Sequence, residues 1–299
     1  MIHPRRRPNR FAMLAIGAAC AAIAVACGAR ASTGASGAFP AAAAPVGADS
    51  ITGVEWVRVA MSSGGMLSAA VARPAGAGPH PVLVILHGTH GFAREYVALA
   101  RDLAREAGVV AIAACWFAGR RGAGVELVTP IECPEAPPMP STGMTPEALA
   151  VVDALIDAAR ALPGVRADRV ALLGHSRGSV AAVHYALERG SDSQGAGRGL
   201  RAVVLNSGAY PPELVARAAA LSVPVLLLHG TADGPQEGGS EMTTVARARA
   251  FEATLVAARK VVEVEYFEDA RHSALLYNAD QRARSVRRAA DFLRRQGIE

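Results

Sequence analysis

Short apolar runs recur along this chain, each closed by glycine, proline or polar residues, and the stretches between them carry apolar residues at helical spacing. A run of four to six successive apolar positions is too short for a buried helix and reads as a strand covered on both faces. Such runs lie within 81–86, 109–114, 169–173, 201–206 and 223–228, and 261–267, where Glu263 and Glu265 alternate with apolar residues, is also strand-like. Two further strands, 55–61 and 67–73, meet at Gly64-Gly65 and are expected to pair antiparallel. Helical spacing predicts helices at 92–107, 146–161, 179–189, 241–258 and 279–295, the second with Thr145 as N-cap and Pro146 in its first position. Strand and helix alternate, so the pattern predicts the α/β class, with a mostly parallel eight-stranded sheet flanked by helices in one domain over 55–299. No long helical insertion follows the sixth strand, so no large cap domain is expected. The loop 116–143 is the remaining candidate for a cover.

The first 54 residues break this pattern. Arg5, Arg6, Arg7 and Arg10 precede an alanine-rich apolar run at 11–26, which has the form of an export signal and is short for a membrane span. Ala24-Val25-Ala26-Cys27 resembles a bacterial lipoprotein cleavage box, which assigns 1–26 to the signal peptide and makes Cys27 the lipid-modified first residue. Cleavage after a small residue without lipid is the alternative. Residues 27–54 are mostly Ala, Gly, Ser and Pro without periodicity and read as a flexible tether. The expected location is therefore the periplasm or cell surface, with the membrane contacted only through the lipid anchor. Setting the four signal arginines aside lowers the formal net charge from +5 to about +1, which removes any charge argument for nucleic acid. In an exported body Cys115 and Cys133 close a short loop and are expected to form a disulfide that pins the proline-rich stretch above the sheet; two unrelated thiols is the other reading.

Chemistry concentrates at strand ends. Gly174-His175-Ser176-Arg177-Gly178 lies between a strand and a helix. In such a G-x-S-x-G turn the glycines let strand and helix approach, and the central hydroxyl stands at the end of the sheet. Ser176 is thus the candidate nucleophile. Its partners should follow as an acid and then a histidine. His184 lies inside the following helix and His229 precedes any suitable acid, which leaves His272, in the loop after the last strand, as the candidate base. Asp233, on the polar turn after 223–228, is the candidate acid that orients it. A strand-finishing loop histidine and a turn-forming aspartate are the plain alternatives. A developing oxyanion needs main-chain donors, and the amide of Arg177 offers one. The second is expected from Thr89, or else His90, in His87-Gly88-Thr89-His90-Gly91. His90, Trp116 and Phe117 are candidate pocket residues, although the two aromatics could equally pack the loop onto the sheet. No cofactor is implied, and no acidic or cysteine cluster accompanies His87 and His90 to suggest a metal site.

Through the motifs at 87–91, 174–178, 229–233 and 267–272, residues 55–296 resemble α/β-hydrolases of the dienelactone-hydrolase-like and prolyl-oligopeptidase-like type. The resemblance implies a serine hydrolase that cleaves small-molecule carboxylic esters through an acyl-enzyme. A peptidase or amidase, and a catalytically silent binding module, are the rival readings. Two departures stand out. Dienelactone hydrolases in the narrow sense resemble cysteine-nucleophile enzymes, whereas serine stands at 176, and Gly234-Pro235-Gln236-Glu237-Gly238-Gly239 replaces the apolar turn usual after the acid.

Overall fold

The computed structural model describes residues 45, 48, 51–119, 128–190 and 199–299. The signal segment 1–26, Cys27, most of the tether 27–54 and residues 120–127 of the long loop lie outside the described residues. Eight strands are present among the described residues: β1 (Glu55–Ala60), β2 (Met66–Ala72), β3 (His80–Leu86), β4 (Val110–Ala114), β5 (Val165–His175), β6 (Leu200–Asn206), β7 (Val225–Gly230) and β8 (Val262–Phe267). They form a single sheet in the order β1-β2-β4-β3-β5-β6-β7-β8. β1 pairs antiparallel with β2, and β2 with β4, while the strands from β4 to β8 are parallel.

The apolar runs have a direct cause in this arrangement. Along β3, Val82, Val84 and Leu86 enter one core layer while Leu83 and Ile85 enter the other, so no position is left for a polar side chain. Helices α2 (Pro146–Ala161), α3 (Arg177–Arg189) and α5 (Val245–Ala257) cover the first face, and α1 (Arg94–Ala107) and α7 (Ala279–Arg295) cover the second. The α2 cap has the expected chemistry, with Thr145 Oγ1 accepting from the Ala148 amide at 3.2 Å behind Pro146.

Differences from the sequence pattern are local. Helix 241–258 is in fact a 3₁₀ turn (Glu241–Thr243) followed by α5, and two short helices, α4 (Pro212–Arg217) and α6 (Ala274–Tyr277), were not anticipated. β5 begins at Val165, where pairing of Val165 with His80 extends it into positions of low hydrophobicity. The parallel register brings the carboxyl ends of β3, β5, β7 and β8 to one edge, where four loops converge.

Candidate active site

Ser176 sits at the junction of β5 and α3 with φ 52 and ψ −117, a backbone conformation that costs a non-glycine residue about 1–3 kcal/mol. The surroundings hold it there. Its amide donates to the Asn206 carbonyl at 3.1 Å, and its carbonyl accepts from the Ser179 and Ala209 amides. A Cβ on Gly174 would strike the Gly178 carbonyl, and one on Gly178 would strike the Leu86 carbonyl, so the tight crossing of β3, β5 and α3 requires both glycines.

The acid and base loops are laced together before either reaches the serine. Thr231 and Ala232 donate main-chain bonds to Phe267 and Ala270, and the Asp269 amide donates to Thr231 Oγ1 at 2.9 Å. This brings Asp233 and His272, 39 residues apart, into contact: His272 Nδ1 lies 2.8 Å from Asp233 Oδ2 and 3.1 Å from Oδ1. His272 Nε2 lies 3.0 Å from Ser176 Oγ. All three side chains are buried to within 7% exposure, so these contacts are made largely out of water. With the imidazole proton on Nδ1 facing the carboxylate, Nε2 is free to accept the serine proton. The glycine-rich run after the acid also acquires a role. Gly239 packs so closely that a Cβ there would lie 2.5 Å from Asp233 Oδ1, so a bulkier turn would displace the carboxylate.

Ser176 and His272 open on a cavity of about 520 Å³. Thr89, His90 and Arg177 line it, as do Ser141, Val180 and Met242. Trp116 and Phe117 do not line it, which corrects the pocket assignment made for them. Both are fully buried and pack edge to face at 4.4 Å, with the Trp116 indole N–H donating to the His87 carbonyl at 3.0 Å. The indole donor and the two rings are satisfied by His87 and the sheet, leaving nothing to face a ligand. The Cys115–Cys133 disulfide is formed, with Cα atoms 6.3 Å apart. It ties the strap 128–143, which carries Ser141, Thr142 and Gly143 to the cavity wall, to the end of β4.

Sequence reasoning named His90 for the pocket but did not foresee that His87, His90, His175 and His229 gather as buried imidazoles around the site. His175 is completely buried, and its ring lies 5.3 Å from that of His272. His229 Nε2 donates to the Thr243 carbonyl at 2.7 Å and lies 3.7 Å from Asp233 Oδ2. Burial lowers His90 to about 4, with His272 nearby adding to the effect. It lowers His87 to about 3 against the opposing bond to the Gly88 carbonyl. His175 is held well below the ordinary value by burial and then by the surrounding imidazoles, and His229 is lowered by burial despite Asp233. These rings are neutral at neutral pH, so they place no fixed positive charge beside His272. The signals for them in sequence were their places in the motifs at 87–91, 174–178 and 229–233.

Ser176 at the turn after β5, Asp233 after β7 and His272 after β8 follow the order of the α/β-hydrolase class. The chain belongs to the dienelactone hydrolase family, whose model matches residues 67–296. Among solved structures, a dienelactone hydrolase-like promiscuous phosphotriesterase from metagenomic libraries superposes with a TM-score of 0.60 at 19% identity, covering 82% of this chain and 99% of its own. A thermophilic esterase of the planctomycete Thermogutta terrifontis gives 0.59 at 18% identity, covering 83% and 94%. A Pyrobaculum calidifontis esterase gives 0.57 at 15% identity, covering 83% and 87%. At such identities these structures speak for the fold. No curated protein matches the sequence.

Proposed function

We propose that this member of a hydrolase family is an exported serine hydrolase of small-molecule carboxylic esters. The observation that carries the reading is the unbroken contact from Asp233 through His272 to Ser176 Oγ, at 2.8 and 3.0 Å, beside a cavity of about 520 Å³. Ser176 Oγ attacks the acyl carbonyl while His272 Nε2 takes its proton, and Asp233 stabilises the resulting imidazolium. The main-chain amides of Arg177 and Thr89 hold the oxyanion. His272 then returns the proton to the departing alcohol, and water releases the acyl group by the same steps in reverse roles. Export rests on the signal-like segment 1–26 and gains support from the disulfide, which suits an oxidising compartment; Cys27 is the proposed lipid attachment point.

The test is chemical. A fluorophosphonate should label the folded protein and leave Ser176→Ala unlabelled, and that variant should lose ester turnover by about 10⁶-fold. Equal labelling of the variant would end the serine mechanism. Faster turnover of aminoacyl amides than of small acyl esters would move the substrate class to peptides and amides.

A further inference from the structure

We infer that Tyr96 is a positioning residue that ties the turn supplying the second oxyanion donor to the nucleophile turn, through a shared hydroxyl that fixes both neighbouring imidazoles in the same tautomer. This rests on the serine-hydrolase reading given above.

Tyr96 lies on α1 and is completely buried. Its hydroxyl is 2.9 Å from the Gly88 amide, 2.8 Å from His90 Nε2 and 2.8 Å from His175 Nδ1. Gly88 opens the turn that carries Thr89, closed by the Gly91 amide on the Gly88 carbonyl at 3.0 Å. His175 immediately precedes Ser176. The two turns also touch directly, since a Cβ on Gly88 would lie 2.9 Å from His175 Nδ1 and 3.0 Å from Ser176 Cβ. One side chain from a third element therefore holds both halves of the site in register.

The proton count makes the arrangement specific. A phenol hydroxyl has one proton and two acceptor sites. The Gly88 amide fills one acceptor site, so one imidazole nitrogen must accept the phenol proton and the other must donate into the remaining site. Both rings are neutral, so each carries a single proton. If His175 Nδ1 accepts, His175 carries its proton on Nε2, facing Ser273 Oγ at 3.4 Å, and His90 donates from its own Nε2. If His90 Nε2 accepts, both rings carry the proton on Nδ1, and Ser273 donates to His175 Nε2. Either way the tautomers match. The chain thus runs from His90 on the cavity wall to Ser273, the residue after His272.

Histidine-selective nitrogen NMR on the full chain, combined with kinetics of Tyr96→Phe, tests this. Wild type should show His90 and His175 in the same tautomer, and Tyr96→Phe should uncouple them. The variant should lose about tenfold in kcat with KM within about twofold, because a slack turn misplaces an oxyanion donor without emptying the pocket. Opposite tautomers in the wild type would overturn the inference even if Tyr96→Phe fails to fold. A folded variant with kcat within about twofold of wild type would overturn the positioning role. Turnover by Ser176→Ala would remove the reading beneath that role, and the spectra would still decide the tautomers separately.

Discussion

The turn at Ser176 and the strap above it solve the same problem, holding a wall of the cavity in place, by opposite means. The turn is fixed by exclusion. Backbone crosses backbone at Gly174 and Gly178 with no room for a Cβ, and the strained Ser176 has no relaxed alternative within that packing. The strap is fixed by attachment. It is held by the Cys115–Cys133 bridge, by main-chain bonds of Ile131 to Phe92, Arg94 to Thr129 and Ala118 to Pro137, and by the Arg177 side chain. Reacting groups belong on the first kind of structure, because catalysis tolerates little displacement. A wall that shapes the substrate can sit on the second.

Changes at the rigid side should cost rate without much cost in folding. Asp233→Asn preserves volume but can donate to His272 Nδ1 and so favours the wrong tautomer. The expected loss is about 10⁴ in kcat, with a melting temperature close to wild type, read from steady-state kinetics and a thermal melt. A loss below about tenfold would mean that the carboxylate does not orient the base.

The same rigidity has a cost in acid. His87 and His90 are lowered from 6.5 to about 3 and about 4 by burial, so the unfolded chain binds protons more readily than the folded one. Their contribution to stability is therefore intact above about pH 6.5 and is withdrawn progressively as pH falls toward 3–4. Thermal melts from pH 7 to 4 should show this fall, and His87→Gln should flatten its lower part. A variant whose melting temperature falls as steeply as wild type would remove His87 from the cause.

How much of this was legible beforehand follows the same division. Ser176 and Asp233 were named from sequence because each follows an apolar run whose strand is buried, and His272 because it follows the strand-like, alternating 261–267; the parallel order carries those ends to one edge. The antiparallel lead of β1 and β2 followed from Gly64-Gly65. The strap was not legible in that way. Trp116 and Phe117 suit a pocket wall and a core equally well, and His87, 29 residues earlier, decides between them. Tyr96 and His175 meet across 79 residues through a single hydroxyl, and no periodicity marks such a pair. α4 and α6 are too short to show a repeat, and their ends are set by tertiary contacts.

Breaking the attachments should therefore affect stability more than chemistry. The disulfide closes a loop with a sequence separation of 18. The double variant Cys115→Ser, Cys133→Ser should lose about 3 kcal/mol on the chain-entropy account, measured by denaturant unfolding. Its kcat/KM should stay within about threefold of wild type, because the main-chain bonds at Phe92, Thr129 and Pro137 remain. A collapse in rate without loss of stability would show the bridge to be part of the catalytic wall, and would erase the contrast between turn and strap.

Arg177 is where the two regions join, and it gives the smallest and most discriminating prediction. Its main chain belongs to the Ser176 turn, while its side chain reaches the strap. Nε donates to Thr89 Oγ1 at 3.2 Å, and one terminal nitrogen donates to the carbonyls of Pro140 and Ser141 at 3.1 and 3.0 Å. The guanidinium is half-buried, and burial lowers its pKa. Arg177→Met keeps the amide proposed for the oxyanion and much of the stem, but releases all three side-chain bonds. The strap should then loosen at Ser141 while Ser176 stays in place, raising KM about fivefold with kcat changed less than about twofold, a loss near 1 kcal/mol. Arg177→Lys should recover only part of the KM, because an ammonium cannot reproduce the planar fork that reaches Thr89 and the strap carbonyls together. If the Met variant loses kcat rather than KM, the side chain acts on the oxyanion turn through Thr89, and the strap is a bystander.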